Sequence, residues 1–159
     1  MTKPHYQAIV AAPGFALGVQ CDADEITGID FLEPQAEQPP ETPLAAEAAR
    51  QLRAYLADPA FAFGLPLRPS GTSFQRRVWT AIAAIPLGAT ETYGQVAKRL
   101  NNAPRAVGQA CGANPFPLVV PCHRVVATGG GLGGFSRQGG GFLLDVKRWL
   151  LSHENSLPG

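Results

Sequence analysis

The sequence lacks any long apolar run, and a membrane span needs a helix of about 20 apolar residues. The N-terminus also lacks the basic-then-apolar pattern of a secretory leader. Only three cysteines are present, Cys21, Cys111 and Cys122, and no CxxC pair occurs. Neither a disulfide framework nor a zinc site is therefore expected. These absences predict an intracellular protein in a reducing compartment, independent of membranes and of any metal or organic cofactor.

Charge is also sparse, because only 16% of the residues are charged and the formal net charge is +1. The net charge alone gives no reason to expect a nucleic-acid partner, but the distribution of charge along the chain gives one. Residues 1–67 hold three basic and nine acidic residues, whereas residues 68–159 hold ten basic and three acidic ones. The basic rear half is expected to meet a polyanion, with a merely polarised surface as the alternative.

What the sequence does contain is 45% hydrophobic residues, enough for a packed core. Three β-prone runs in the front half, "YQAIVAAP", "FALGVQC" and "EITGIDFLE", are separated by turn formers and predict a small meander. Thr42 as N-cap and Pro43 at the first helical position predict the helix "LAAEAARQLRAYL". Residues 1–67 are therefore expected to form an α/β supporting domain with a three-stranded antiparallel sheet.

Residues 68–159 are expected to form a mostly helical, winged-helix-like domain, which makes the whole chain α+β. Two capping boxes, "TSFQ" at Thr72 and "TYGQ" at Thr92, each predict the start of a helix. Pro104 begins another short helix, "PRAVGQACGA", after the polar break at residues 101–102. The last two of these helices have the spacing of a helix-turn-helix. A closing helix, "FLLDVKRWLLSHE", completes the predicted domain.

The stretch "LVVPCHRVVATGGGLGG" carries the only adjacent pair of reactive side chains, Cys122 and His123. A nucleophilic cysteine acts as its thiolate, and His123, Arg124 and Arg105 supply positive charge expected to lower the pKa of Cys122. Neighbouring side chains of an extended segment point to opposite faces. Either the backbone bends at Cys122, or a water bridges the thiol and the imidazole. Glu154, at the end of the last helix, is a candidate to orient the histidine.

The second helix of the predicted helix-turn-helix offers small side chains, Ala106 and Gly108 among them, behind a forward-pointing Arg105. Such a face allows the backbone to press into a groove. Few of its side chains are of the types that read base edges, so we expect sequence-independent binding through shape and phosphates. Together with a reactive thiol, this indicates chemistry on a base turned out of the stack, at a cost of a few kcal/mol.

The segment "NPFPLVVPCHRVV" closely resembles the active-site signature of the O6-alkylguanine-DNA alkyltransferases, the methylated-DNA–protein-cysteine methyltransferases. The resemblance extends back through "SFQRRVWTAIAAIPLGATETYGQVAKRL" and forward to "KRWLLSHE", and so covers the rear half. It implies direct reversal of DNA damage, with one irreversible transfer of an alkyl group from O6-alkylguanine to the protein. It leaves open whether O4-alkylthymine is also repaired.

The resemblance also implies a role for each residue. Cys122 accepts the alkyl group, His123 takes the thiol proton through a water, and Glu154 holds the histidine. Double-stranded DNA is bound through its minor groove by a monomeric protein, which is nucleoid-associated when acting. Tyr93 donates a hydrogen bond to the guanine, and Asn114 braces the active-site turn. Arg105 fills the gap left by the flipped nucleotide, and further DNA contacts come from Ala106, Gly108 and Arg124. The base pocket is lined by Val125, Phe135 and Ser136.

One segment departs from the family pattern. The family has a short "YSGG"-type turn between the pocket serine and the last helix, where this chain has "FSRQGGGFLLDVKRW". We hypothesise that this longer glycine-rich loop admits bulkier alkyl groups.

Three other functions fit parts of the sequence. Relatives that only sense damaged bases replace the cysteine, whereas this chain keeps Cys122. A cysteine hydrolase or acyltransferase using Cys122, His123 and Glu154 leaves the helix-turn-helix unexplained. A transcription regulator needs base-reading side chains that the second helix lacks.

Overall fold

The computed structural model describes residues 4–127, 131–132 and 141–156. The chain divides into two compact units, Met1–Pro69 and Ser70–Gly159. In the described ranges, no helix combines the length and the apolar character required to cross a membrane.

The first unit is an antiparallel sheet with one helix. Its strands pair in the order β1–β2–β3, and a tight turn at Gly14 (φ 84°) joins the first two. The three strands and the helix are β1 (Ala8–Ala12), β2 (Phe15–Cys21), β3 (Ile26–Leu32) and α1 (Pro43–Ala57). Each coincides with a run identified in the sequence, because β-prone runs bounded by turn formers and a capped, alanine-rich helix are strong local signals.

Helix α1 begins as predicted, with the Thr42 hydroxyl accepting a hydrogen bond from the Ala45 amide at 3.1 Å. The helix packs on β1 and β2. Half of its buried residues are alanines, and the larger ones are Gln51, Leu52 and Tyr55. Small side chains allow the helix backbone to approach the sheet closely.

The second unit is mostly helical. Its elements are α2 (Ser73–Ala83), β4 (Glu91–Thr92), α3 (Tyr93–Arg99), α4 (Pro104–Gly112), a 3₁₀ turn (Cys122–Arg124), β5 (Val125–Val126) and α5 (Phe142–His153). Both predicted capping boxes form, at Thr72 with Gln75 and at Thr92 with Gln95. The prediction of an α+β chain, with a three-stranded sheet followed by a helical domain, is confirmed.

Helices α2, α3 and α4 pack around one buried core. That core includes Val78, Ile82, Val96 and Val107. Cys122 and Val125 belong to the same cluster, at 4% and 0% exposure. The segment carrying the candidate nucleophile is therefore fixed by the packing of the helical unit.

Candidate active site

The backbone bends at the candidate nucleophile. Cys122, His123 and Arg124 form a single 3₁₀ turn, closed by a 2.9 Å hydrogen bond from the Arg124 amide to the Pro121 carbonyl. Of the two alternatives that the sequence left open, the bend in the backbone is the one that the structure shows. Successive side chains of a 3₁₀ turn lie about 120° apart. The turn therefore sends three neighbouring side chains in three directions.

Asn114 joins this turn to the segment before it. Its amide Nδ2 donates to the Val120 carbonyl at 3.0 Å and to Cys122 Sγ at 3.3 Å. Its Oδ1 accepts from the Phe116 amide at 2.9 Å. With these three bonds the Asn114 side chain fixes both the backbone before the turn and the position of the sulfur.

His123 points towards the end of α5. Its Nε2 lies 2.8 Å from Glu154 Oε2, and both side chains are buried. Burial lowers the pKa of His123, although the hydrogen bond to Glu154 opposes that shift. The other ring nitrogen, Nδ1, is buried without a hydrogen-bond partner among the described residues. The imidazole is thus neutral near pH 7 and has one nitrogen available.

Arg124, for which we predicted a DNA contact, forms two hydrogen bonds within the protein. Its Nε donates to Glu154 Oε1 and its Nη1 to the Ile85 carbonyl, each at 2.8 Å. The side chain is only 14% exposed. The reason is the 3₁₀ turn, since an extended backbone would point Arg124 to the same face as Cys122. Glu154 therefore bonds to two neighbours of the nucleophile at once.

The expected lowering of the Cys122 pKa is wrong. The pKa of Cys122 is raised well above its usual range, first by the neighbouring Cys111 thiol and then by burial. The hydrogen bond from Asn114 and the charge of Lys147 oppose this shift. Cys111 lies in the last turn of α4, half-buried against the cluster that contains Cys122.

Lys147 is the functional residue that the sequence analysis missed. It is fully buried in α5, and its Nζ donates to the Val125 carbonyl at 2.7 Å. The same nitrogen lies 5.8 Å from the centroid of the Tyr93 ring. Burial lowers the pKa of Lys147 to about 8. A signal was available, because Lys147 lies two helical turns before Glu154 and shares its apolar face.

Tyr93 is the first residue of α3, directly after the Thr92 cap. Its ring lies beside α4, since a Cβ at Gly108 would be 3.9 Å from Tyr93 Cε1. Burial raises the pKa of the Tyr93 hydroxyl, so it keeps its proton and can donate a hydrogen bond.

Helix α4 directs Val107 and Ala110 into the core. Arg105 is exposed on its other side, and Ala106 and Gly108 are half-buried. Of the predicted pocket residues, Val125 is buried, with its N–H donating to the Cys122 carbonyl and its own carbonyl taken by Lys147. Phe135 and Ser136 lie outside the described residues, as does most of the glycine-rich loop.

Within the described ranges, no group of three or more His, Cys, Asp and Glu side chains is arranged to hold a metal ion. The site consists of a buried thiol, a neutral histidine bonded to a carboxylate, a buried ammonium group and a protonated phenol. A helix-turn-helix of α3 and α4 adjoins it. This combination defines a helix-turn-helix protein with a cysteine nucleophile.

Comparison with known proteins gives the family. Residues 73–156 match the family model described as the DNA-binding domain of 6-O-methylguanine DNA methyltransferase. The methylated-DNA–protein-cysteine methyltransferase of Methanosarcina acetivorans is 46% identical over 112 residues, 69% of this chain and 69% of the relative. Its counterpart from Haemophilus influenzae is 37% identical over 158 residues, 94% of this chain and 86% of the relative.

Solved structures agree. Mycobacterium tuberculosis OGT in complex with DNA is similar at a TM-score of 0.77 and 36% identity, covering 93% of this chain and 91% of the other. An O6-methylguanine DNA methyltransferase from Methanococcus jannaschii is similar at a TM-score of 0.67 and 26% identity, covering 92% of each chain. The chain belongs to the O6-methylguanine-DNA methyltransferase family, as its resemblance to that family predicted.

Proposed function

We propose that this protein repairs O6-alkylguanine in double-stranded DNA by moving the alkyl group to Cys122, once per molecule. The observation that carries this assignment is the pairing of a buried thiol, held by Asn114, with a neighbouring histidine bonded to Glu154. A thiol and a base in adjacent positions are what nucleophilic displacement requires.

Proton removal is part of the proposed reaction. Because its pKa is raised, Cys122 carries its proton at neutral pH, whereas the attacking species must be the thiolate. His123 is neutral and has Nδ1 available, so it can accept the proton through one water molecule. Glu154 then stabilises the imidazolium, and Lys147 stabilises the thiolate.

In the transfer step the sulfur attacks the alkyl carbon in line with the guanine oxygen. The new S–C bond forms as the C–O bond breaks, and the electron pair passes to the guanine. Tyr93 donates a hydrogen bond to the guanine and so relieves the charge that develops on it. The thioether formed has no easy hydrolytic exit, so the protein is used once.

DNA is the partner, and we propose that α4 enters the minor groove. The exposed Arg105 would occupy the space left by a flipped nucleotide, while the small residues Ala106 and Gly108 allow close approach of the helix. This mode needs only one copy of the chain, so we propose that it acts as a monomer. The free thiols fit the reducing cytoplasm, and we propose that location.

The first experiment is intact-protein mass spectrometry after mixing with a duplex that carries one O6-methylguanine. We expect one methylene unit to be gained per molecule, mapped by peptide digestion to Cys122. Cys122→Ala should gain nothing, and Cys21→Ala, which alters a thiol of the first unit, should gain the same as wild type. Tighter binding to the lesion duplex without a mass gain would overturn transfer in favour of damage sensing. The absence of both binding and mass gain would overturn the DNA assignment.

The role of Tyr93 has its own test. Tyr93→Phe keeps the ring but removes the donor, and should slow single-turnover transfer about 100-fold. Binding to an undamaged duplex should stay unchanged. An unchanged transfer rate would remove Tyr93 from the mechanism.

A further inference from the structure

We propose that a groove along the exposed face of α2 binds the phosphate backbone of the DNA duplex, beside the part of the duplex held by α4. Its lining includes Ser73, Arg76, Arg77 and Thr80 of α2, together with Leu100 at the end of α3. We call it the α2 groove. The inference rests on the proposed entry of α4 into the minor groove, because it adds a second contact to the same duplex.

The four α2 residues of the groove recur at the spacing of a single helix face. Ser73, Arg76, Arg77 and Thr80 lie three, four and seven residues apart, and all four are exposed. The residues of α2 that face the core lie on its opposite side. This face therefore presents two guanidinium and two hydroxyl groups, which are the groups that contact phosphate oxygens in protein–DNA complexes.

Both arginines are held in place by backbone carbonyls. Arg76 Nε donates to the Ser70 carbonyl at 3.0 Å, and Arg77 Nη2 donates to the Leu100 carbonyl at 3.2 Å. A guanidinium has five N–H donors, so each arginine keeps donors for a further acceptor. Side chains that are already oriented lose less conformational entropy when a ligand binds.

The charge of the α2 groove is not neutralised within the described part of the protein, where neither arginine forms an ion pair with a carboxylate. Each described carboxylate of the second unit has another basic partner: Glu91 pairs with Arg99, Asp145 with Arg148, and Glu154 with His123 and Arg124. The groove therefore carries positive charge and favours an anionic occupant.

Continuity with the proposed DNA-binding helix identifies that anion as the same duplex. Leu100 lies at one side of the groove, and only five residues separate it from Arg105 of α4. Five residues span at most about 18 Å, which is roughly half of the 34 Å helical turn of DNA. A duplex held at Arg105 thus extends past the groove, whereas an acidic peptide or a second duplex has no such connection.

The first test measures the salt dependence of DNA binding. Thr80→Glu places a carboxylate one helical turn from Arg76 without removing either arginine–carbonyl bond. On an undamaged duplex of about two helical turns, it should weaken binding about tenfold and lower the salt slope by about one to two. Arg76→Gln should lower the slope by about one. Fluorescence anisotropy measures both, after melting temperatures have shown that the variants are folded.

Arg148→Gln is the matched control, because it makes the same change in net charge on the exposed side of α5. It should keep the wild-type salt slope. An equal slope for Thr80→Glu and Arg148→Gln would overturn the proposal, since the groove would then hold some anion other than DNA or none.

The second test determines whether the groove holds the same duplex. Cys122→Ala, which lacks the acceptor thiol, is combined with Thr80→Glu and bound to duplexes that carry one O6-methylguanine. Shortening one arm of the duplex to less than about half a turn should abolish the difference between Cys122→Ala and the double variant, whereas shortening the other arm should preserve it. A difference that survives both truncations, with two duplexes bound per protein, would overturn the proposal in favour of a second duplex.

Failure of the proposed function has a different signature. It appears as an unchanged mass of the wild-type protein after mixing with the lesion duplex. Failure of the α2 groove appears only as an unchanged salt slope, in a protein that still binds DNA and accepts the alkyl group.

Discussion

Glu154 Oε2 lies 2.8 Å from His123 Nε2, while Glu154 Oε1 lies 2.8 Å from Arg124 Nε. One buried carboxylate thus bonds to both residues that follow the nucleophile. The arrangement makes Glu154 the residue that orients the base.

Glu154→Gln should slow single-turnover alkyl transfer by roughly 100-fold, because the imidazolium loses its compensating charge. It also leaves the largely buried Arg124 guanidinium without a carboxylate, which should destabilise the second unit by about 3 kcal/mol. Asp145→Asn is the control, since that carboxylate lies exposed on the same helix. Rate constants from quenched mixing and urea unfolding provide both measurements. Equal rates for the two variants would contradict the role of Glu154.

Two hydrogen bonds within the protein distinguish Arg124 from the exposed Arg105. Arg124→Gln should reduce transfer but leave the affinity for undamaged duplex and its salt dependence unchanged, because its guanidinium bonds within the protein. Arg105→Ala should weaken duplex binding, and loss of a phosphate contact would lower the salt slope by about one. Fluorescence anisotropy at several salt concentrations measures both. A smaller slope for Arg124→Gln would restore the DNA contact predicted from the sequence.

Cys111 controls the pH dependence of the nucleophile. The neighbouring thiol is the largest cause of the raised Cys122 pKa, so Cys111→Ala should lower that pKa. The rising limb of the transfer rate against pH should therefore move to lower pH. Single-turnover rates from pH 6 to 10 are the measurement, with Cys21→Ala as the control. A limb that stays in place would show that burial alone sets the Cys122 pKa.

Stability should fall on the acid side because of His123. Its pKa in the folded protein is below 6.5, so between those two values the unfolded chain binds more protons than the folded one. The free energy of unfolding therefore decreases as the pH falls from 7 through this window. His123→Gln should show a smaller decrease, measured by urea unfolding at pH 7 and 5. His153→Gln, which alters the stacked pair of His153 and Trp149, should keep the wild-type decrease.

Two glycines of the second unit distinguish backbone strain from steric overlap. Gly71 (φ +87°) would place a Cβ 2.6 Å from the Trp79 ring, and Trp79 is anchored by a 2.9 Å bond to the Ala110 carbonyl. Gly88 (φ +85°) would meet only the Glu154 carbonyl, at 3.9 Å. Gly88→Ala should lower the free energy of unfolding by about 1 kcal/mol, because alanine is strained in the left-handed backbone conformation. Gly71→Ala should lower it by about 2 kcal/mol more, because the added methyl group also overlaps the Trp79 ring. Equal losses in thermal unfolding would mean that the indole shifts freely.

Local signals were sufficient for the three-stranded sheet and the helices, but not for the short strands β4 and β5 or for the 3₁₀ turn. The Thr42 cap, the capping boxes at Thr72 and Thr92, and the start of α4 at Pro104 each depend on residues within one helical turn of one another. Such short-range hydrogen bonds and the periodicity of burial are legible in a linear sequence. For the same reason the motif around Cys122 was enough to indicate the family.

Contacts between distant segments were not predictable in that way. The hydrogen bonds of Arg124 to Glu154 and to the Ile85 carbonyl were not foreseen, because the 3₁₀ turn at Cys122–Arg124 is invisible in the letters "PCHRV". Cys111 raises the Cys122 pKa only because α4 packs against the same buried cluster as the active-site turn.

By itself, then, the sequence determined the three-stranded sheet, the helices with their caps, and the candidate nucleophile, since these follow from neighbouring residues. Only the tertiary structure decided the environment of that nucleophile. The fold buries Lys147 beside Tyr93, engages Arg124 with Glu154 and raises the pKa of Cys122. These effects depend on desolvation and on through-space charge, and both are set by which segments pack together rather than by their order along the chain.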